Sequence, residues 1–281
     1  MSIIDGRKIA QYYEEKLKVK TSQMGRPPSL HTILVGEDEG SKIYIGVKDR
    51  GCKRVGIETT THKFHKDASE KELKEFITKL NKDRAVDGIL LQMPLPDHLE
   101  PFELISSINI TKDVEGMHPY NLGRLTSEDE GIVPCTPGGI ITMLDYEGTV
   151  LKGKEVCVVS HSTVVGKPMA LMLLNRDATV TVVHEYTRGT KDFTKRADVL
   201  IAAAGVPGLI TKEMIKEGVI IIDVGMNRLE NGDIVGDVEF DDLKKRADKI
   251  TPVPGGVGPM TVLTLLQNTV KLAGNNQKKY K

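Results

Sequence analysis

EVCVVSHSTVVGKP, residues 155–168, is the stretch whose reading decides the fold. A short run rich in valine gives way at Ser160 to a turn of small residues, and from about Gly166 to a helical pattern. Runs this short, β-branched and bounded by turn residues, read as strands buried on both faces of a parallel sheet. The turn after such a strand is where dinucleotide folds set a pyrophosphate against backbone N–H groups at a helix N-terminus. The spacing departs from G-x-G-x-x-G, with serines at 160 and 162 and the glycine at 166. Alone, the stretch is equally an ordinary strand-to-helix turn. Its context decides: TVTVVH (Thr179–His184), DVLIAAAG (Asp198–Gly205) and VIIIDVG (Val219–Gly225) repeat the same kind of run. A doubly wound, Rossmann-type dinucleotide-binding domain is therefore expected over residues 138–259.

Upstream, LHTILVG (Leu30–Gly36), GIETTTHKF (Gly56–Phe64) and DGILLQMPLP (Asp87–Pro96) read as strands. Between them lie a helix from Ser41 closed by Gly56 and a helix opened by Ser69 and Glu72 as a capping box. The second helix carries Leu73, Phe76, Ile77 and Leu80 on one face. A βαβαβ order predicts a parallel sheet covered by helices, so the fold class is α/β, with an N-terminal parallel α/β catalytic domain ahead of the Rossmann-type domain. Residues 101–134 connect the halves, and Thr136 followed by Pro137 marks a helix start, with the threonine as cap. A last helical pattern, Met260–Leu272, is expected to pack back on the first half, giving a catalytic domain of 1–137 and 260–281. The polar tail Asn275–Lys281 is expected to fray.

A length of 281 residues suits two domains of roughly 100–200 residues each. Basic and acidic residues number 39 each, so no overall field favours nucleic acid or an anionic membrane. With no tryptophan and few aromatics, a stacking platform for single strands is missing too. No apolar run approaches the ~18 residues of a membrane span, and MSIIDGRKIA does not read as a secretion signal. Cys52, Cys135 and Cys157 are too scattered for a disulfide framework or a metal cluster, which fits a reducing cytoplasm.

Ser41, Tyr44 and Lys48 recur at helical spacing and share one face. A tyrosine one turn from a lysine can hydrogen-bond the amine or stack on a flat substrate, and a lysine held out of water can move protons. The same spacing also describes a solvated face with an idle lysine. Gln92 stands at the carboxyl end of an apolar strand, where ligand crevices of open α/β sheets form. PVPGGVGPMT, residues 252–261, offers N–H groups to an oxygen-rich ligand, or is simply a rigid loop capping the last helix. At the end of the second Rossmann strand an acid favours a free ribose 2′-hydroxyl and a base favours a 2′-phosphate. His184 and Glu185 stand there and His161 in the first turn, so the residues leave NAD and NADP both open.

On IIDGRKIA, the S..Y...K pattern ending at Lys48, DGILLQMPLP, KDVEG, VPCTPGG, VGKP and TPVPGGVGPMT, the chain closely resembles the bifunctional methylenetetrahydrofolate dehydrogenase/methenyltetrahydrofolate cyclohydrolase family. The resemblance covers nearly the whole length. It implies a homodimer acting on a small folate substrate, without metal, by oxidation of 5,10-methylenetetrahydrofolate and hydrolysis of the product to 10-formyltetrahydrofolate. It implies Lys48 as the proton-transfer residue, Gln92 holding it, and Tyr44 against the folate ring. The family's KDVDG reads KDVEG here, so Glu115 stands where an aspartate anchors the pterin-like ring, with Asp113 in a structural place. Substrate contacts are further expected from Pro254, Gly255 and Gly256. The cofactor positions are Thr136, Ser160, His161, Ser162, Gly166, His184, Glu185, Gly205, Gly225 and Met226. The family's G-R-S turn is Ser160, His161 and Ser162 here, and its serine after the strand-ending histidine is Glu185. NADP is the expected cofactor, His161 donating to its phosphate, with NAD possible. Two alternatives stand beside this reading: a cyclohydrolase that has lost dehydrogenation, and a non-catalytic dinucleotide-sensing module.

Overall fold

The computed structural model describes residues 2–279. In chain order it contains β1 (Ser2–Ile3), α1 (Gly6–Ser22), β2 (Ser29–Val35), α2 (Glu39–Val55), β3 (Glu58–Phe64), α3 (Glu70–Lys82), β4 (Gly88–Leu91), α4 (Pro101–Ser107), α5 (Pro119–Leu125) and α6 (Cys135–Tyr146). There follow β5 (Glu155–Val159), α7 (Gly166–Leu174), β6 (Thr179–Val183), α8 (Thr190–Thr194), β7 (Val199–Ala202), β8 (Ile220–Asp223), β9 (Asn227–Arg228), β10 (Ile234–Val235), α9 (Phe240–Leu243), β11 (Lys249–Ile250) and α10 (Val257–Lys279). The chain forms two compact units. One comprises residues 12–124, 130–133 and 262–279; the other comprises 2–11, 125–129 and 134–261. Among the described residues, no helix is long and apolar enough to cross a membrane.

The first of these units is built on a parallel sheet of order β3-β2-β4. All four residues of β4 are buried although it is an outer strand of this order, its free side being met by the Ile89–Asp113 bridge. Leu73, Ile77 and Leu80 of α3 meet Ile33, Ile89 and Leu91 of the sheet in one core. The capping box holds: Ser69 Oγ accepts from Glu72 N at 3.2 Å. At the other end of α3, buried Lys112 donates to the carbonyls of Leu80 and Asp83 at 2.7 and 2.6 Å, satisfying acceptors the helix leaves open. Asp38 caps α2 by accepting from Ser41 N at 2.7 Å, and Gly56 closes it at φ 76°, a left-handed conformation that favours glycine. Asp87, 0% exposed, receives both guanidinium arms of Arg26 at 2.6 and 2.9 Å, plus Ser29 N at 3.0 Å. That carboxylate fixes the start of β2 beside the start of β4.

The second unit holds six parallel-paired strands in the order β1-β11-β8-β7-β5-β6. After β5 the chain adds β6 on one side and then crosses to add β7 on the other. The reversal places the turn at residues 160–166 at the topological switch point, where open α/β sheets bind ligands. Loops at this end are held by two buried acids. Asp237 accepts from Ala204, Gly205 and Val206 N–H groups at 2.6–3.0 Å and from Asn227 Nδ2 at 2.8 Å. Asp223, at the end of β8, accepts from Gly225 N at 3.0 Å, Asp237 N at 2.9 Å and Val238 N at 3.3 Å. Burial pushes the Asp223 carboxyl up to about 6, against the pull of those N–H groups.

Four details differ from the sequence reading. Residues 2–11 fall with the second unit instead of the first, because Ser2 and Ile3 pair with Lys249 and Ile250; a two-residue strand has no periodicity to announce it. Strand β6 is buried only at Val183, since it lies at the sheet edge. Helix α6 starts at Cys135 with Pro134 before it and no side-chain cap; Thr136 lies inside the first turn, its Oγ1 3.0 Å from Thr261 Oγ1. Helix α10 continues through Lys279, where Asn276 donates to Thr111 O at 3.3 Å and Gln277 to Arg26 O at 3.2 Å. The expected fraying of residues 275–279 is thus corrected, while residues 280 and 281 lie outside the described residues.

Asp87→Ala should lower unfolding free energy by about 2–4 kcal/mol, read from urea midpoints, as the loss of a buried partner requires. Asp223 titrates near 6 when folded and near 3.8 when not. The native state therefore binds more protons in between, and this contribution favours folding at low pH and falls away as pH rises from about 4 to about 6. Measured against Asp223→Asn, the wild type should lose about 2–3 kcal/mol of relative stability across that window. A constant difference would refute the raised carboxyl.

Candidate active site

Helix α2 buries Ser41, Ile45, Lys48, Cys52 and Val55, a stripe at steps of three and four. Lys48 thus lies on the inward face, 5% exposed, and the solvated-face reading is excluded. Its Nζ donates to Gln92 Oε1 at 3.2 Å and lies 3.6 Å from Glu115 Oε1. The Tyr44 ring, half-buried one turn earlier, has its centroid 4.8 Å from the same nitrogen, within cation–π range.

Gln92 follows β4 directly, and its backbone N–H continues the sheet by donating to Ile33 O at 2.9 Å. Its amide Nε2 donates to Met93 O at 2.6 Å, so the amide oxygen must face Lys48. Ser41 Oγ donates to that same carbonyl at 3.2 Å, tying α2 to the loop after β4. Gln92 is therefore held from behind and holds the lysine in front.

Glu115 reaches Lys48 from the loop after the Ile89–Asp113 bridge. Burial pushes its carboxyl above the ordinary range; the Lys48 charge opposes this and Asp113 adds to it. Asp113 itself has both oxygens engaged, accepting from Gly116 N at 3.0 Å, His118 N at 2.8 Å and Asn121 Nδ2 at 2.8 Å. It shapes the loop that carries Glu115. A buried amine between an amide, a carboxyl and a phenol ring is an arrangement for moving a proton and holding a flat polar substrate.

In the other unit, Ser162 organises the turn after β5. Its Oγ accepts from Val165 N at 3.1 Å and Gly166 N at 3.3 Å, and its carbonyl from Lys167 N at 2.9 Å. Ser160 Oγ bonds Ser162 Oγ at 3.2 Å. A Cβ on Gly166 would stand 2.2 Å from Ser160 O, so only glycine lets α7 start this close to the strand end. The His161 and His184 rings stack, centroids 4.4 Å apart and planes within 20°, and His161 Nε2 is 3.5 Å from Glu185 Oε2. His184 Nδ1 accepts from Tyr186 N at 3.3 Å.

Gly205, at φ 70°, has nothing within 4 Å of where a Cβ would be, and Met226 is 59% exposed. Gly225 packs tightly instead: a Cβ there would meet Asp237 Oδ1 at 2.2 Å. These residues suit a dinucleotide by their place: small-residue turns at a switch point, with Gly205 leaving space unfilled. Pro254, Gly255 and Gly256 belong to this unit, not to the one that holds Lys48. Gly256 N donates to Pro252 O at 2.9 Å, and a Cβ on Gly6 would stand 1.8 Å from Gly256 O, the geometry of a rigid loop seated on the start of α1.

The structure thus brings together Tyr44, Lys48, Gln92 and Glu115 in one unit, and Ser160, His161, Ser162, Gly166, His184 and Glu185 in the other. Sequence reasoning missed Lys112, Asn121, Asp223 and Asp237, which shape the loops. Asp223 carried a signal, an acid ending an apolar strand; Asp237 sits in an irregular segment and carried none.

Comparison with known proteins covers both units. The family described as tetrahydrofolate dehydrogenase/cyclohydrolase, catalytic domain, matches residues 4–115, and its NAD(P)-binding domain matches residues 134–277. A bifunctional protein FolD of Nautilia profundicola is 45% identical over 100% of both chains. The crystal structure of a bifunctional FolD methylenetetrahydrofolate dehydrogenase/cyclohydrolase from Campylobacter jejuni is 43% identical, with a TM-score of 0.96 over 98% of this chain and 99% of that one. The Trypanosoma brucei enzyme, complexed with NADP cofactor and inhibitor, is 35% identical, with a TM-score of 0.94 over 98% of each chain. Matched along both compact units by sequence and by fold, this chain belongs to the bifunctional tetrahydrofolate dehydrogenase/cyclohydrolase family.

Proposed function

We propose that this enzyme oxidises 5,10-methylenetetrahydrofolate to 5,10-methenyltetrahydrofolate with NADP and hydrolyses the product to 10-formyltetrahydrofolate, Lys48 moving the proton. The observation that carries the reading is the buried Lys48 amine set between Gln92, Glu115 and Tyr44. Tyr44 lies against the folate ring, and Glu115 binds its polar edge in place of the shorter acid of the family. The nicotinamide, when bound, accepts the hydride that leaves the bridging methylene. Hydrolysis then adds water to the cationic methenyl carbon, and a proton must leave that water. Lys48, oriented by Gln92, takes that proton to leave a neutral hydroxyl adduct; as the bond from carbon to the ring nitrogen then breaks, the hydroxyl proton passes to that nitrogen and the formyl carbonyl forms.

The turn at Ser160–Ser162 and the start of α7 would hold the pyrophosphate, with Thr136, Gly166, Gly205, Gly225 and Met226 completing the cofactor contacts. His161, His184 and Glu185 would face the adenosine ribose. Pro254, Gly255 and Gly256 serve the folate side. The same proposal takes the enzyme to be a cytoplasmic homodimer; its three cysteines are free and buried, as a reducing compartment allows. Light scattering of the purified protein checks the dimer.

Lys48→Met should reduce cyclohydrolase turnover by at least about a hundredfold, the usual scale for a lost acid–base group, with circular dichroism and thermal midpoint showing an intact fold. Hydrolysis that survives the substitution removes Lys48 from the mechanism. The dehydrogenase step is read by absorbance of reduced cofactor on adding methylenetetrahydrofolate with either dinucleotide. Silence with both would leave a cyclohydrolase alone.

A further inference from the structure

Resting on the reading of Glu115 as the acid that binds the polar edge of the folate ring, we propose that Asn268 is the positioning residue for that acid. The hold on the substrate is thereby set from the C-terminal helix.

Asparagine is out of place where it stands. Asn268 lies inside α10, 5% exposed, with Leu265, Leu266, Thr269, Val270 and Leu272 buried around it. An asparagine side chain competes with the helix backbone for hydrogen bonds and costs free energy to bury, so its use here turns on what the amide bonds. Its Nδ2 donates to Val114 O at 2.9 Å and to Val133 O at 3.0 Å, one N–H for each carbonyl, across 154 and 135 residues of chain. The bond to Val133 ties two distant segments together. The bond to Val114 does more, because that carbonyl belongs to the peptide unit leading into Glu115.

A peptide unit is planar, so holding its oxygen also holds the direction of the bond that follows it. Asn268 holds the unit ahead of Glu115. The unit after it is held at Gly116 N, which donates to Asp113 Oδ1 at 3.0 Å. Val114 is itself 0% exposed, seated so closely that a Cβ on Gly88 would lie 2.3 Å from its Cγ1. With both flanking units fixed, the Glu115 backbone has no soft torsion left, and its Cα–Cβ bond points one way. Side-chain torsions alone then bring Oε1 to 3.6 Å from Lys48 Nζ. A glutamate is a longer lever than an aspartate, so a tilt at its root moves the carboxylate farther. A misplacement of about 1 Å at a group that positions substrate can cost about a hundredfold in rate.

A double-mutant cycle separates positioning from mere support. Dissociation constants of tetrahydrofolate, kept reduced with a thiol, are measured by calorimetry for wild type, Asn268→Ala, Glu115→Ala and the double variant. Glu115→Ala should weaken binding at least about tenfold, the scale of a hydrogen bond to a charged group. Asn268→Ala should weaken it at least about fivefold with Glu115 present and less than about twofold without it. The KM of methylenetetrahydrofolate should rise in parallel, while that of NADP stays within about twofold. The fitted stoichiometry counts folded molecules, so a changed dissociation constant is not a loss of protein. Asn268→Ser is made alongside, in case the alanine variant does not fold.

Equal losses from the Asn268 substitution in the two backgrounds, or none in either, would overturn the proposal and leave the folate reading intact. Failure of both Asn268 variants to fold would assign the residue to stability and overturn it as well. Unaltered binding in Glu115→Ala would overturn the reading of Glu115 on which the proposal rests.

Discussion

Keeping an amine out of water is the constraint on which the catalytic unit depends. A charged ammonium in an apolar setting is costly unless its hydrogens find partners, so Lys48 can be buried only where neighbours are already fixed. Each neighbour is fixed in turn. Gln92 is oriented by the Met93 carbonyl, which Ser41 also grips, and Glu115 rides on a loop whose shape is set by Asp113 and its three donors. Glu115 follows the same economy: the loop brings a partly buried acid inward, and the lysine is what it meets. Precision around the Lys48 nitrogen therefore comes from backbone carbonyls and N–H groups, which do not rotate away.

The cofactor unit uses the opposite device. There the acids point at the backbone. Asp237 gathers the N–H groups of residues 204–206, and Asp223 gathers those of Gly225, Asp237 and Val238. Loops that would otherwise wander at the carboxyl ends of β7 and β8 become fixed surfaces, which is what a flat ring held for hydride transfer demands. His161 and Glu185 lie exposed, 3.5 Å apart, where side chains can change without disturbing these anchors.

Much of this was legible in the sequence because short buried strands and amphipathic helices leave periodic signals. The runs at Glu155–Val159 and Gly88–Leu91, the capping box at Ser69 and the glycine closing α2 were readable for that reason. The pair Tyr44 and Lys48 was visible as spacing, but spacing alone could not say which face of α2 looks inward. The burial of Ser41, Ile45 and Cys52 decides that. Residues 2–3 joining β11, Thr136 standing inside α6 rather than ahead of it, and Asp237 clamping a distant loop were not legible. Each depends on a contact between segments that are not neighbours along the chain, 33 residues apart for Asp237 and Ala204 and 125 for Thr136 and Thr261, and no local pattern encodes such a partner.

Helix α10 belongs to the cofactor unit at its start and to the catalytic unit from residue 262 onward, where Asn268 donates to the carbonyls of Val114 and Val133 at 2.9 and 3.0 Å. The catalytic unit is thus stitched shut by a segment that follows the whole of the other unit along the chain. During synthesis its sheet must wait, partly uncovered, while some one hundred and thirty residues of the other unit are made, from 134 to 261. A nascent chain of this enzyme carries Lys48, Gln92 and Glu115 long before residues 262–279 exist to finish the interior that holds them.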